Sequence, residues 1–273
     1  MLEGKQLVFV GGLHRSGTTP LANVIAAHDE FSGLTETGVS ENEGQHLQDV
    51  YPKIRAYGGM GRFANAEAAH LTEDSALATP ENARRLLEAW QPYWDLGKPR
   101  LVEKSPSNLI MGRFLQALFP ESSLVIVVRH PVVSALALQK WMPRIVSRNG
   151  RRRSSLSALV AHSIRAHQVL AADAPLIRRL HVVRYEDLVR EPERELGRLQ
   201  RFLGLDTALP HGIIRGGQNT VYADKWEVMR SGGLLERRQR ALIVDRLGPG
   251  VASMGYDIED LGQVGALPQA LLR

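Results

Sequence analysis

Apolar residues along this chain fall into short runs separated by longer amphipathic stretches. Leu7 to Val10, Leu101 to Val102, Leu124 to Val128 and His181 to Arg184 are short, mostly β-branched segments that read as buried parallel strands. Helical spacing lies between them. In "TPENARRLLEAWQPYW", Thr79 is placed to cap, Pro80 takes the first helical position, and Leu86, Leu87 and Trp90 make one apolar face. The stretches 105–120 and 190–205 repeat this logic and close on Pro or Gly. Strands alternating with helices imply an α/β fold with right-handed crossovers and a central, mainly parallel sheet flanked by helices, whose ligands lie at the carboxyl ends of the strands. The segment "ENEGQHLQDV" reads as a further helix, with Glu41 and Glu43 in its first turn, where the helix dipole favours carboxylates.

Composition narrows the class without naming it. At 273 residues and 44% hydrophobic, the chain can bury a sizeable core, and residues 1–273 read as one domain. A net charge of +5 suits an anionic ligand, but no groove-reading motif accompanies it, so nucleic acid is not an expected partner. The absence of cysteine excludes disulfides, thiolate metal sites and cysteine nucleophiles together, and no other metal-ligand spacing is visible. The first apolar run is too short for a secretory segment and enters a core strand, so the expectation is a cytoplasmic protein with no membrane span. Residues 144–157 are biased toward Arg and Ser and read as a mobile loop, and residues 263–273 as an irregular, loosely packed tail. The oligomeric state is not legible.

The chemistry concentrates in "GGLHRSGTT", residues 11–19, directly after the first apolar run. A Walker-type phosphate loop wants Gly, four residues, Gly, Lys and Ser or Thr; Gly12, Gly17 and Thr19 fit, while Thr18 stands where the lysine belongs. Backbone N–H groups leading into a helix N-terminus form an anion site, and Gly17 lets the backbone approach closely. Arg15 supplies a planar, bidentate cation, and Ser16, Thr18 and Thr19 add hydroxyl donors.

"HRSGTT" after a strand resembles the 5′-phosphosulfate loop of sulfotransferases, especially the tyrosylprotein sulfotransferase branch, with His14 where that branch has proline. The resemblance implies a P-loop-like three-layer fold. It also implies 3′-phosphoadenosine-5′-phosphosulfate as sulfuryl donor, 3′,5′-adenosine bisphosphate as product, and an acceptor hydroxyl. It continues in order along residues 7–226. "LVIVVRHP" resembles the strand that ends in the arginine for the 3′-phosphate, which makes Arg129 the matching residue. The family's serine eight positions later is Ala137 here, and Ser134 is the nearby hydroxyl. "VVRYEDLV" carries Tyr185 at the position of the tyrosine near adenine, and "ADKW" carries Lys225 at that of a lysine closing over the nucleotide.

Sulfuryl transfer needs a base for the acceptor proton and fixed cations for charge on the sulfuryl oxygens and leaving phosphate. A glutamate falls twenty-one residues after the loop arginine in the tyrosylprotein branch, which carries the role of base to Glu36. Glu43, Glu41 and His46 stand as rivals. Lys104 closes the run "RLVEK" at a position where the family has a lysine near the transferring group, and Glu103 alternates to the other face as a structural partner. His14 and His130 read as packing residues. The expected activity is a sulfotransferase with Glu36, Lys104 and Arg15 as catalytic groups and a small-molecule, glycan, lipid or peptide hydroxyl as acceptor. The alternatives are a P-loop-type small-molecule kinase using ATP and Mg²⁺, and a non-catalytic anion-binding protein.

Overall fold

The computed structural model describes residues 4–142, 154–212, 214 and 218–272, so most of the Arg-rich stretch 144–157 lies outside the described residues. Five parallel strands form one sheet in the order β2-β3-β1-β4-β5. They are β1 (Gln6–Gly12), β2 (Phe31–Gly33), β3 (Arg100–Lys104), β4 (Ser123–Val128) and β5 (Leu180–Arg184). The sheet is covered on both sides, and the two-residue alternation of the strands shows how. Val8 and Val10 of β1 meet Leu21, Val24 and Ile25 of α1 (Thr18–Ala26) and share a cluster with Leu196, Leu199 and Leu203 of α7 (Pro192–Leu203). Leu7 and Phe9 face the other way, toward Trp90 of α2 (Pro80–Trp90), Phe114 and Leu115 of α3 (Gly112–Leu118), and Ala166 and Leu170 of α5 (Leu156–Asp173). The result is the three-layer, P-loop-like architecture that the alternating pattern and the loop motif imply.

A further apolar cluster joins α5 to α4 (Pro131–Trp141), α8 (Gln218–Ser231) and α9 (Leu234–Ala252). The short α6 (Tyr185–Arg190) follows β5 directly. Local signals behave as their chemistry dictates. The Thr79 hydroxyl accepts from Asn82 N–H at 3.2 Å, with Pro80 opening the helix, and α7 stops at Gly204, whose φ of 65° is left-handed. Among the described residues no helix is long and apolar enough to cross a membrane.

Two expectations are corrected. Residues 41–50 form no α-helix; the segment makes two 3₁₀ turns, Ser40–Asn42 and Gly44–His46. The reason is that its backbone donors are taken by β3 and the loop after it. Gly44 N–H donates to Glu103 Oε1 at 3.0 Å and Gln45 N–H to Ser105 Oγ at 2.9 Å, so the i−4 carbonyls are not needed. The tail after Gly262 is irregular but not loose. Val264 bridges Tyr256, Gly265 O accepts from Arg184 Nη1 at 2.7 Å, and Leu271 is buried.

Five enclosed imidazoles make the fold sensitive to acid. Burial is the largest cause in each case, holding His14 at a pKa of about 3 and His130, His162, His167 and His181 at about 4, against an ordinary 6.5. Their hydrogen bonds fit neutral rings. His130 accepts from Val132 N–H through Nδ1 while Nε2 meets Asp257 O at 2.8 Å, and His162 Nε2 accepts from Ala64 N–H. Below pH 6.5 the unfolded chain binds protons that the folded chain refuses, so stability present above 6.5 is lost as pH falls toward 4. Each group contributes about 1.4 kcal/mol per pH unit in that window. Glu103, raised by burial to about 7, and Glu186, also raised by burial, act in the opposite sense but are two groups against five. Circular dichroism and tryptophan fluorescence should therefore show cooperative acid unfolding centred at about pH 5, because the loss over one to two units rivals a total stability of about 5–15 kcal/mol. Retention of native signal at pH 4 would contradict these burial assignments.

Candidate active site

The loop Leu13–Gly17 joins β1 to α1 at the carboxyl edge of the sheet. Two of its residues take left-handed backbone, Arg15 at φ 70° and Gly17 at φ 102°. Glycine is required at 17 for a second reason: a Cβ there would lie 2.4 Å from Cδ2 of Tyr185, whose ring packs against the loop. The Arg129 guanidinium lies 4.2 Å from the centroid of the same ring, and its Nη1 donates to Arg15 O at 2.6 Å. Burial lowers the Arg129 pKa from its usual value, with Tyr185 and Glu186 opposing. Arg15, Gly17, Thr18, Thr19, Arg129 and Tyr185 thereby line one groove of ≈ 300 Å³.

Ser16 is buried and its Oγ has no protein partner. An orphaned donor, a glycine with no room for a side chain, the N-terminal N–H groups of α1 and two arginines suit a phosphorylated or sulfated ligand. The 3′-phosphoadenosine-5′-phosphosulfate that the sequence implies therefore fits the residues present.

Lys104 ends β3 beside this groove. Its Nζ lies 3.2 Å from Glu43 Oε1, and both side chains are buried. Glu43 Oε2 accepts from Gln45 Nε2 at 2.6 Å and has His46 Nε2 at 3.5 Å, so both carboxylate oxygens are engaged. Glu103 points to the opposite face, as strand alternation requires, and accepts from Gly44 N–H, Ser105 Oγ and Asn108 Nδ2. It fixes the 40–46 segment on β3. His14 is kept neutral by burial, with the Lys104 and Arg15 cations nearby adding to it, and its Nδ1 is enclosed without a partner.

Glu36 is exposed, with φ 54° and no hydrogen-bond partner among the described residues. It sits between Thr35, which lines a second cavity reached by Lys104, and Thr37, whose hydroxyl donates to Asn42 Oδ1 at 2.6 Å. Glu41 lines both this cavity and the groove, and accepts from Thr19 Oγ1 at 3.1 Å. Among the described residues the non-glycine positions with left-handed backbone are Arg15, Glu36, Glu41 and Asn42. All four lie on the two loops that meet here, which is where functional strain collects.

The remaining sites separate. Ser134 is buried on α4 and lines a small space with Leu13, His14, Gly61 and His162, not the Arg129 groove. Lys225 is exposed on α8, while its neighbour Trp226 is core and donates to Ile258 O at 2.7 Å. Tyr222, one turn earlier, has its ring 5.9 Å from Arg129. Sequence reasoning missed Trp141, the last residue of α4, whose ring stacks 4.6 Å from the Arg15 guanidinium at 66% exposure. It also missed Asn42, although Asn followed by Glu-Gly is a turn signal more than a helix signal.

A glycine-bearing, arginine-lined anion loop at the carboxyl edge of a three-layer parallel sheet defines a P-loop-like protein for an anionic nucleotide. The chain belongs to the sulfotransferase family, whose profile, described as Sulfotransferase family, matches residues 7–208. It is 28% identical over 240 residues to the nodulation protein NoeE of Sinorhizobium fredii, covering 79% of this chain and 54% of that protein. It is 27% identical over 230 residues to protein-tyrosine sulfotransferase 2 of Gallus gallus, covering 81% and 58%. The omega-hydroxy-beta-dihydromenaquinone-9 sulfotransferase Stf3 of Mycobacterium bovis matches at 26% over 195 residues, covering 64% and 48%. The chain thus spans about half the length of the curated relatives it matches. Among solved structures, the sulfotransferase domain from the curacin biosynthetic pathway aligns with TM-score 0.49 at 17% identity, over 89% of this chain and 97% of that one.

The buried Lys104–Glu43 pair sets a stability test. Glu43→Gln leaves an ammonium enclosed without its counter-charge and should cost about 3 kcal/mol in urea unfolding, whereas replacing both partners together, Lys104→Met with Glu43→Leu, should cost less. Equal losses in the two variants would show that the pair is not coupled.

Proposed function

We propose that this sulfotransferase transfers a sulfuryl group from 3′-phosphoadenosine-5′-phosphosulfate to an acceptor hydroxyl by in-line displacement. The observation that carries the reading is the junction of the two cavities: Thr19 of the anion loop and Glu41 line both, and Lys104 opens into the second. The bound donor supplies a sulfuryl group activated by a phosphate leaving group. Ser16, Gly17, Thr18 and Thr19 hold its 5′ end, Arg129 answers the 3′-phosphate, and Tyr185 flanks the base, while Ser134 and Lys225 lie outside this groove. Arg15 and Lys104 place positive charge where it grows on the sulfuryl and leaving oxygens. Glu43, with both oxygens committed, holds Lys104 in place and is a positioning residue. Glu36, uncommitted and next in the chain to Thr35 of the second cavity, takes the acceptor O–H proton as that oxygen bonds to sulfur and the phosphate oxygen leaves. The protein-tyrosine and menaquinone enzymes among the relatives bear names that fit hydroxyl acceptors in general.

Three variants separate these roles. Glu36→Gln should retain affinity for 3′,5′-adenosine bisphosphate and lose about 10²–10⁴-fold in turnover, since a positioned base contributes that much; unchanged single-turnover sulfation would remove it from the mechanism. Arg15→Ala should weaken nucleotide binding and slow transfer, a loss of about 3 kcal/mol for one preorganised donor. Glu41→Gln should do the reverse for binding. Removing a carboxylate from the groove of an anionic ligand should tighten the bisphosphate about fivefold in calorimetry, about 1 kcal/mol at the effective dielectric of a protein surface.

A further inference from the structure

The second cavity lies beside Lys104. It encloses ≈ 220 Å³ between one stripe of α1 and the edge of the sheet. Thr19, Ala22, Asn23 and Ala26 share the helix face toward it, and Val102 and Lys104 alternate onto the matching face of β3. The volume is that of about seven waters at roughly 30 Å³ each, below the roughly 300–1,000 Å³ of pockets that take drug-sized ligands. Among the described residues no aromatic ring lines it; Ala22, Ala26 and Gly33 keep its walls low, and Leu34 and Val102 are its larger apolar residues.

Its polar side chains are numerous and keep open hydrogen-bonding positions. Asn42 is clamped through Oδ1, which accepts from Thr37 N–H at 3.3 Å and Thr37 Oγ1 at 2.6 Å, leaving Nδ2 without a protein partner among the described residues. The side chains of Asn23 and Thr35 make no hydrogen bond among those residues either, and Glu41 Oε1 is open while Oε2 accepts from Thr19. The clamp holds Asn42 at φ 49° and keeps its amide at the cavity edge. These four side chains are exposed, so a planar aromatic or alkyl acceptor covering them would displace their water without replacing its hydrogen bonds. A ligand bearing several hydroxyls would satisfy them together.

Resting on the sulfotransferase reading above, we propose that the acceptor site is this cavity and that it takes a small polyhydroxylated alcohol, a single sugar ring or a cyclic polyol, in preference to a phenol or a long-chain alcohol. Asn23, Thr35 and Asn42 bind the non-reacting hydroxyls, and the reacting hydroxyl faces Lys104.

The test measures transfer of radiolabelled sulfuryl from the donor to methyl hexosides, myo-inositol, p-nitrophenol, a tyrosine peptide and a long-chain alkanol, with calorimetry of 3′,5′-adenosine bisphosphate on the same protein. A methyl hexoside or the cyclitol should exceed the phenol and the alkanol by at least about tenfold in kcat/KM, the worth of one lost buried hydrogen bond. Asn23→Leu, and Asn42→Gly, which keeps the left-handed backbone, should each lower that value about tenfold with bisphosphate affinity unchanged. Preference for the phenol, the peptide or the alkanol would overturn the proposal, as would indifference of polyol transfer to both substitutions. So would bisphosphate binding with no polyol labelled. Failure of the bisphosphate to bind would instead overturn the donor assignment.

Discussion

A lysine at the end of a buried strand constrains everything around it. Lys104 follows Leu101, Val102 and Glu103 in a strand whose last four residues are enclosed, and an ammonium taken out of water there costs several kcal/mol unless it is answered. The answer is Glu43, delivered by the segment that follows β2. Glu103, on the opposite face, secures the same segment from below through Gly44 N–H, and Ser105 does so through Gln45 N–H. Two consecutive charged residues thus anchor the loop by different means, one by charge and the other by backbone hydrogen bonds. The cation is fixed before any ligand arrives.

That anchoring explains the backbone strain nearby. A segment drawn onto β3 at Gly44 and Gln45 must turn sharply ahead of them, and Glu41 and Asn42 take left-handed conformations to do so. Such residues cost about 1–2 kcal/mol each outside glycine, with asparagine the most tolerant. The Thr37–Asn42 hydrogen bonds supply local compensation. The consequence is positional: the bend brings Glu41 to Thr19, so that an acid from one loop and a hydroxyl from the other divide the groove from the cavity.

This also marks how far the sequence could be read. Continuous apolar runs located β1 and β4, and Thr79–Pro80 located the start of α2, because those features are settled by local chemistry and burial. The glycines and hydroxyls of the anion loop were legible for the same reason. Residues 41–50 were not, since the partners that replace their helical hydrogen bonds lie 59 and 60 positions away on Glu103 and Ser105. Glu43 could be picked out as an acid near the site, but its commitment to Lys104 belongs to the tertiary structure. The Arg15–Trp141 contact joins residues with no periodic or motif relation, and no local pattern announces it.

Two of the site's cations, Lys104 and Arg15, therefore differ in kind. Lys104 is enclosed, paired and held on a strand; Arg15 rests on an exposed tryptophan from a loop with left-handed backbone. A fixed cation contributes to transfer because it needs no reorganisation when charge develops, whereas a stacked surface guanidinium must leave or share its ring contact to meet an anion. Arg129 moderates that difference. By donating to Arg15 O while lying over Tyr185, it ties the loop backbone to the Tyr185 wall of the groove. Because the Arg129 guanidinium holds the carbonyl of Arg15, any change of charge at Arg129 bears directly on the backbone from which Arg15 projects, and the settings of the two arginines are linked.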